Sequence, residues 1–261
     1  FMGDANDEGL TIDMGAIYLL SKLTAIELPE NLICLMPSSV YGSNLKTITV
    51  NSVGKLNADG NYELDFRENA CGSITTSAPY FYTEILNIGA KVPSIGIAGV
   101  FGYSLKTVNV DSANSNYTTL GDTSGGLYNS DGSRLLYYPL NGAVVFNVPD
   151  GVKELSANVF RTNTILTEVY IPASIEKIGD NAFYNCTKIK KITIAEGESS
   201  LEIGDYAFYY CSLLKEIVLP ARLKSLGRYA FYYNSALKNV TFNGTAVREL
   251  GNYTFSYCKE L

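Results

Sequence analysis

The chain of 261 residues contains no histidine. That absence removes Ser-His-Asp and Cys-His hydrolases, His-ligated metal sites and the usual proton shuttle near neutral pH. Charge is sparse as well, at 18% Asp, Glu, Lys and Arg, with a formal net charge of −6. A nucleic-acid surface needs clustered cations that displace counterions, and no basic stripe interleaved with aromatics occurs. The longest apolar run, near Ile17-Tyr-Leu-Leu, is too short to span a bilayer. Five cysteines, an odd number without CxxC spacing, argue against a full disulfide framework and against a zinc site. Gly96, Gly99 and Gly102 have the wrong spacing for a phosphate loop. Asn129-x-Asp131-Gly132 begins like a calcium loop but lacks the later bidentate glutamate, so it reads as a turn. The start, Phe1-Met-Gly-Asp-Ala-Asn, shows no signal-peptide pattern and reads as a mature or trimmed end.

What is present is repetition. Leu166-Thr-Glu-Val-Tyr-Ile-Pro, Ile189-Lys-Lys-Ile-Thr-Ile-Ala, Leu214-Lys-Glu-Ile-Val-Leu-Pro and Leu237-Lys-Asn-Val-Thr-Phe-Asn open successive units, and Leu261 begins a fifth. The spacings are 23, 25, 23 and 24 residues. Each unit continues with a hydrophobe–Gly pair and then Ala-Phe, as in Ile178-Gly179…Ala182-Phe183; the last copy has Thr254-Phe255. A fixed period in the twenties marks a leucine-rich solenoid. Ala143–Ile165 is a further unit, because Val148, Pro149 and Phe160 lie 23 residues before Ile171, Pro172 and Phe183.

The alternation in Leu-x-x-Val-x-Ile is that of a strand, with Val169 and Ile171 inward and Glu168 and Tyr170 outward. The expected architecture is a β-rich solenoid with a parallel sheet on one face and turns with short irregular segments on the other. Pro172 and Pro220 should end their strands. The glycine column Gly179, Gly204, Gly227, Gly251 is expected to supply turns with positive φ. The column Phe160, Phe183, Phe208, Phe231, Phe255 should fill the core. Three positions after each phenylalanine stands Asn163, Cys186, Cys211, Asn234 or Cys258, small side chains placed to satisfy turn backbone from rung to rung. Buried structural thiols are therefore expected.

Upstream the pattern weakens. Leu23-Thr-Ala-Ile-Glu-Leu and Leu45-Lys-Thr-Ile-Thr-Val match the repeat opening 22 residues apart, as do Thr83-Glu-Ile-Leu-Asn-Ile and Leu105-Lys-Thr-Val-Asn-Val. The register is lost between these pairs, where Tyr62-Glu-Leu-Asp-Phe suggests a hairpin turning at Asp59-Gly60. Residues 1–110 are either degenerate repeats capping the solenoid or a separate small β domain, and the recurring spacing favours the first. Residues 111–142 interrupt the period, with a hairpin insertion tipped by Asp131-Gly132. Residues 143–261 are the regular repeats. Cys34 and Cys71 lie outside the cysteine column and are free to pair in a secreted protein.

Ile178-Gly-Asp-Asn-Ala-Phe-Tyr-Asn-Cys and Ile203-Gly-Asp-Tyr-Ala-Phe-Tyr-Tyr-Cys, each followed by a strand of the Leu-x-x-Ile-x-Leu-Pro type, resemble BspA-type leucine-rich repeats. Gly126-Leu-Tyr-Asn-Ser-Asp-Gly…Leu-Tyr-Tyr-Pro also recurs in that family. The departures are Ala195 and Asn243 in place of proline and Ser156 in place of the column glycine. The resemblance implies a secreted or cell-surface bacterial protein that adheres to host or partner proteins, with no catalytic residues and no cofactor.

Two surfaces are candidates for binding. One is the outward strand face: Val145, Asn147, Glu168, Tyr170, Lys191, Thr193, Glu216, Val218, Asn239 and Thr241, a repetitive surface suited to a protein partner. The other is the tyrosine-rich turn, with columns Tyr206/Tyr229/Tyr253, Tyr184/Tyr209/Tyr232 and Tyr210/Tyr233/Tyr257. Tyr209 and Tyr232 are the choice there for a carbohydrate module; the plain alternative is packing between rungs. A carboxylate-pair glycosidase stays formally open, although the acidic residues fall on outward positions. The chain ends at the start of a strand, so an uncapped edge is expected there.

Overall fold

The computed structural model describes residues 10–12, 17–18, 22–30, 32–35, 40–41, 45–52, 55–56, 62–63, 65–66, 84–93, 105–120, 125–140 and 143–261. No helix occurs among them. Asp59, Gly60, Cys71 and the Gly96–Gly102 run lie outside the described residues, and with them the expected hairpin tip and any Cys34–Cys71 pairing. The chain divides into two compact units, Phe1–Gly125 and Gly126–Leu261.

In the first unit the two matched pairs of strands join into one parallel sheet. Its order is Thr107–Val110, Ile85–Ile88, Thr47–Val50, Ala25–Leu28. Ile26, Ile48, Leu86 and Val108 face one another in register, although 38 residues separate Ile48 from Leu86. The two strands thus pair in full register across a stretch of sequence in which the period is lost. Lys55–Leu56 pairs antiparallel with Tyr62–Glu63, as the expected hairpin requires. The outer face carries a polar ladder, in which Asn109 Nδ2 donates to Asn87 Oδ1 (2.8 Å) and Asn87 Nδ2 to Thr49 Oγ1 (3.1 Å).

Each rung of the second unit has three walls. The first is the predicted strand face. Val145–Asn147, Glu168–Ile171 and Lys191–Ile194 form one parallel sheet, and Glu216–Leu219 with Asn239–Phe242 form another. The break falls in the 25-residue repeat. The strands end before Pro172 and Pro220 as expected. Where proline is replaced, the Ala195 and Asn243 amides donate to Ile171 and Leu219 of the preceding rung.

The second wall is a ladder of short strands where turns and irregular segments were expected. Arg134–Tyr137, Glu154–Leu155, Lys177–Ile178, Leu201–Ile203, Leu223–Leu226 and Glu249–Leu250 pair in parallel in that order. Leu127–Asn129 pairs antiparallel with the first of them. Its connecting turn carries Asp131-Gly132 at the tip: Gly132 has φ 72° and Asp131 Oδ1 accepts the Ser133 amide at 2.9 Å. Those Ser133 hydrogen bonds hold the Asp131 carboxyl below its ordinary range, so it acts as a turn residue.

The third wall is a stack of tight turns between the glycine and cysteine columns. Amides alternate in direction. Asn181, Phe183 and Asn185 donate to Asp205, Ala207 and Tyr209 of the next rung, while Ala182, Tyr184 and Cys186 donate three residues back within their own. Every second residue thus joins a ladder running along the solenoid.

The core lies between these walls. Phe160, Phe183, Phe208 and Phe231 are fully buried, and their rings, with that of Phe255, stack at centroid separations of 4.6, 5.1, 4.9 and 5.5 Å. The small-residue column does what its position suggested. The Cys186, Cys211 and Cys258 thiols donate to the carbonyls of Phe160, Phe183 and Phe231 at 3.0, 3.3 and 3.1 Å, and Asn234 Nδ2 donates to Phe208 at 2.9 Å. Burial raises the Cys186 thiol pKa and takes that of Cys211 to about 12, so neither forms a thiolate near neutral pH.

The glycine expectation needs correction. None of Gly179, Gly204, Gly227 and Gly251 has positive φ. They are glycines because successive rungs touch there: a Cβ on Gly179 would lie 2.6 Å from the Ala157 nitrogen, and one on Gly227 would lie 2.5 Å from that of Asp205. The left-handed positions fall elsewhere, two per rung and four residues apart, at Asn158 and Thr162, Asn181 and Asn185, Tyr206 and Tyr210, Tyr229 and Tyr233, and Tyr253 and Tyr257.

Candidate functional site

Strand alternation places all ten outward residues of the first wall in solvent. Asn147, Tyr170 and Thr193 stand in one cross-strand row, and Val145, Glu168 and Lys191 in the next. Beyond the break, Glu216 faces Asn239 and Val218 faces Thr241. Tyr170, Lys191, Thr193, Glu216, Val218 and Thr241 are therefore surface residues of the two neighbouring sheets. The face is amphiphilic: Val145, Tyr170 and Val218 are 50%, 40% and 46% exposed among polar neighbours.

The loop of the long repeat is fastened to the rungs around it. Arg222 is buried, and its guanidinium donates to the carbonyls of Ile175 (2.5 Å), Ala195 (3.1 Å), Ser199 (3.2 Å) and Pro172 (3.4 Å). Burial pulls its pKa down, opposed by the charges of Glu196 and Glu176. Glu196 in turn accepts from the Ala221 amide at 2.9 Å and from Asn243 Nδ2 at 2.8 Å, joining three rungs. These contacts hold the edge of the strand face beside the break.

The tyrosines are carried on the outside of the turn wall. Tyr184, Tyr209 and Tyr232 stack at 4.7 and 5.4 Å with interplanar angles of 2° and 11°. Tyr206, Tyr229 and Tyr253 stack at 4.8 and 5.1 Å. Tyr233 stacks on Tyr257 at 4.6 Å, while Tyr210 tilts 52° against Tyr233 at 6.0 Å. Arg161 caps one column, its guanidinium 4.4 Å from the Tyr184 ring centre. Both faces of Tyr209 are thus covered by its neighbours. Tyr210, Tyr253 and Tyr257 reach furthest into water, at 42%, 60% and 55% exposure. Burial, followed by the neighbouring phenols, raises the Tyr209 pKa, and the same causes act on Tyr232.

An open groove of about 730 Å³ runs past the glycine column, lined by Asp180, Asp205, Arg228, Arg248 and Glu249 over Gly204, Gly227 and Gly251. Two of its carboxylates have structural partners. Asp180 Oδ1 accepts the Asp205 amide at 2.9 Å. Asp205 accepts the Arg228 amide at 2.6 Å and the Arg228 guanidinium at 2.9 and 2.7 Å. Burial pushes the Asp205 carboxyl up, but Arg228 outweighs it and holds the group below its ordinary range. A glycosidase acid needs the opposite shift. Among the described residues, no cluster of three or more His, Cys, Asp or Glu is placed to hold a metal ion, and no helix is long and apolar enough to cross a membrane.

The strand face followed from alternation. The left-handed tyrosines did not, although a signal was present: the equivalent positions one rung earlier are Asn181 and Asn185, and asparagine is the non-glycine residue most at ease there.

A family model described as a BspA type leucine-rich repeat region matches in six copies across residues 5–85 and 140–261. No curated protein sequence matches the chain. Among solved structures, the pneumococcal vaccine antigen PcpA superposes with a TM-score of 0.65 at 25% identity, covering 92% of this chain and 56% of that protein. A leucine-rich cell surface protein from Faecalibacterium prausnitzii A2-165 superposes with a TM-score of 0.63 at 19% identity, covering 94% of this chain and 60% of that one. The chain thus spans little more than half the length of either structure.

Proposed function

Because this chain belongs to the BspA-type leucine-rich repeat family, we propose that it is a non-catalytic adhesion protein of a bacterial surface that engages host or partner proteins through the strand face. The observation that carries this reading is the amphiphilic character of that face. Val145, Tyr170 and Val218 point into water from two neighbouring sheets whose other outward residues are polar or charged. Together they give the face the aromatic and apolar character that interfaces concentrate within a polar rim. The strands are hydrogen-bonded in register, so docking on them orders little backbone. One structural neighbour is itself described as a leucine-rich cell surface protein, and the other as a vaccine antigen.

The test is binding of the purified chain to a panel of immobilised extracellular-matrix and plasma proteins. Saturable binding to a panel member is expected, weakened at least about tenfold, or about 1.4 kcal/mol, by Tyr170→Glu with Thr193→Glu. Both residues are exposed, so the fold should be unaffected. Binding that ignores these substitutions would place the contact elsewhere.

A further inference from the structure

We propose that the tyrosine ridge of the last three rungs is a second binding site, and that it takes a linear, neutral, β-linked polysaccharide lying along the solenoid axis. The first reason is the choice of residue. The two left-handed positions of each rung are Asn158 and Thr162, then Asn181 and Asn185, then tyrosine six times running, from Tyr206 to Tyr257. Asparagine suits that backbone, and a bulky ring at positive φ is an outlier. Turn geometry alone would keep asparagine. Outliers of this kind gather where a surface is used.

The second reason is what the rings offer. Except for the tilted Tyr210, the rings of each column pack face to face at 4.6 to 5.4 Å and so cover much of one another's faces. A protein partner looks for apolar area or a pocket for an anchoring side chain, and rings that cover each other provide neither. Rows of phenol hydroxyls, each both donor and acceptor, match a ligand that is itself a row of hydroxyls. The period also agrees, since one sugar of an extended β-linked chain advances by about the spacing of adjacent strands, roughly 4.8 Å. Each rung then meets one sugar. Stacking fixes the rings beforehand, so little rotamer freedom is lost on binding. The polar groups that the columns present are phenol hydroxyls, which fits a neutral polymer. Tyr210 on the first of these rungs and Tyr253 and Tyr257 on the last are the most exposed and make the outer contacts, with Tyr233 between them and Tyr209 and Tyr232 as the packed base.

The experiment is native gel electrophoresis of the full chain with hydroxyethylcellulose or mixed-linkage β-glucan in the gel, followed by calorimetry with cello-oligosaccharides of increasing length. Retardation by at least one polymer is expected, with affinity rising until the oligosaccharide covers three rungs. The triple variant Tyr210→Asn, Tyr253→Asn, Tyr257→Asn should bind at least about tenfold more weakly while melting at the same temperature or higher. The matching triple Phe variant, which keeps the rings and removes the hydroxyls, should lose binding too. Tyr170→Glu, on the strand face, should leave polysaccharide binding intact, so the two sites fail or hold separately. The proposal is overturned by normal mobility in both polymers, by affinity that does not grow with length, by polysaccharide binding lost with Tyr170→Glu, or by ridge variants that lose a protein ligand instead.

Discussion

Phe208 lies between Phe183 and Phe231, with ring centroids 5.1 and 4.9 Å away and no exposure. Its removal leaves a cavity in the middle of a stack that cannot collapse, because the backbones on either side are joined by ladder hydrogen bonds from Phe183 to Ala207 and from Phe208 to Ala230. Phe208→Ala should therefore cost about 3–5 kcal/mol, read as a shift in urea midpoint at constant slope. A loss near 0.5 kcal/mol would mean that the ring is not part of a packed column. Phenylalanine and cysteine could be assigned from sequence because each recurs at one offset and has one physical role. Glycine could not, because it has two roles. A recurring glycine signals either a left-handed turn or a backbone contact, and only the measured approach of Gly227 to Asp205 separates them.

At the scale of the element, the strand wall was readable because its period of two shows in hydrophobicity, as at Glu168–Ile171. The ladder of short strands was not. Lys177–Ile178 and Glu154–Leu155 are two residues long and too short to display a period. The turn wall was hidden for another reason: its alternation lies in the direction of the amides and leaves no trace in side-chain polarity. Between these walls Asp205 ties one rung to the next through Arg228. Its carboxyl pKa is lower folded than unfolded. The tie therefore contributes stability above the unfolded range, about pH 4, and loses it as pH falls through the folded value. The Arg228 partner lies in solvent, so the contribution is small. Asp205→Asn should lower the urea midpoint at pH 7 and leave a smaller difference between pH 7 and pH 3 than the parent shows. Equal acid sensitivity in both proteins would assign the pH dependence to other carboxylates.

At the scale of the molecule, the boundary between Gly125 and Gly126 separates two units, and the second has its own continuous core from Tyr128 to Leu237. In a solenoid each repeat is stabilised chiefly by its immediate neighbours. A fragment of residues 126–261 should accordingly fold alone, with a cooperative thermal transition and the strand-face binding of the full chain. A fragment that melts without cooperativity would show that the second unit depends on the first. Sequence resolved this half well, because five rungs share one set of spacings, and resolved the first half poorly, because 34 residues intervene between two strands that pair directly. Of the candidate sites, the strand face came from alternation alone, whereas the ridge needed the backbone angles of Tyr206 to Tyr257 before it differed from ordinary packing.

The stacked phenols have an optical consequence. The chain has 20 tyrosines and no tryptophan, so tyrosine dominates its near-ultraviolet absorption and emission. Nine of those rings form the three columns, many of them nearly parallel to a neighbour about 5 Å away. Transition dipoles at such separations couple, giving split circular dichroism bands and depolarised emission that vanish once the rungs part. The ridge is thus a built-in chromophore that reports the order of the last rungs without a label, and a polymer laid across it would be seen as a change in its own spectrum.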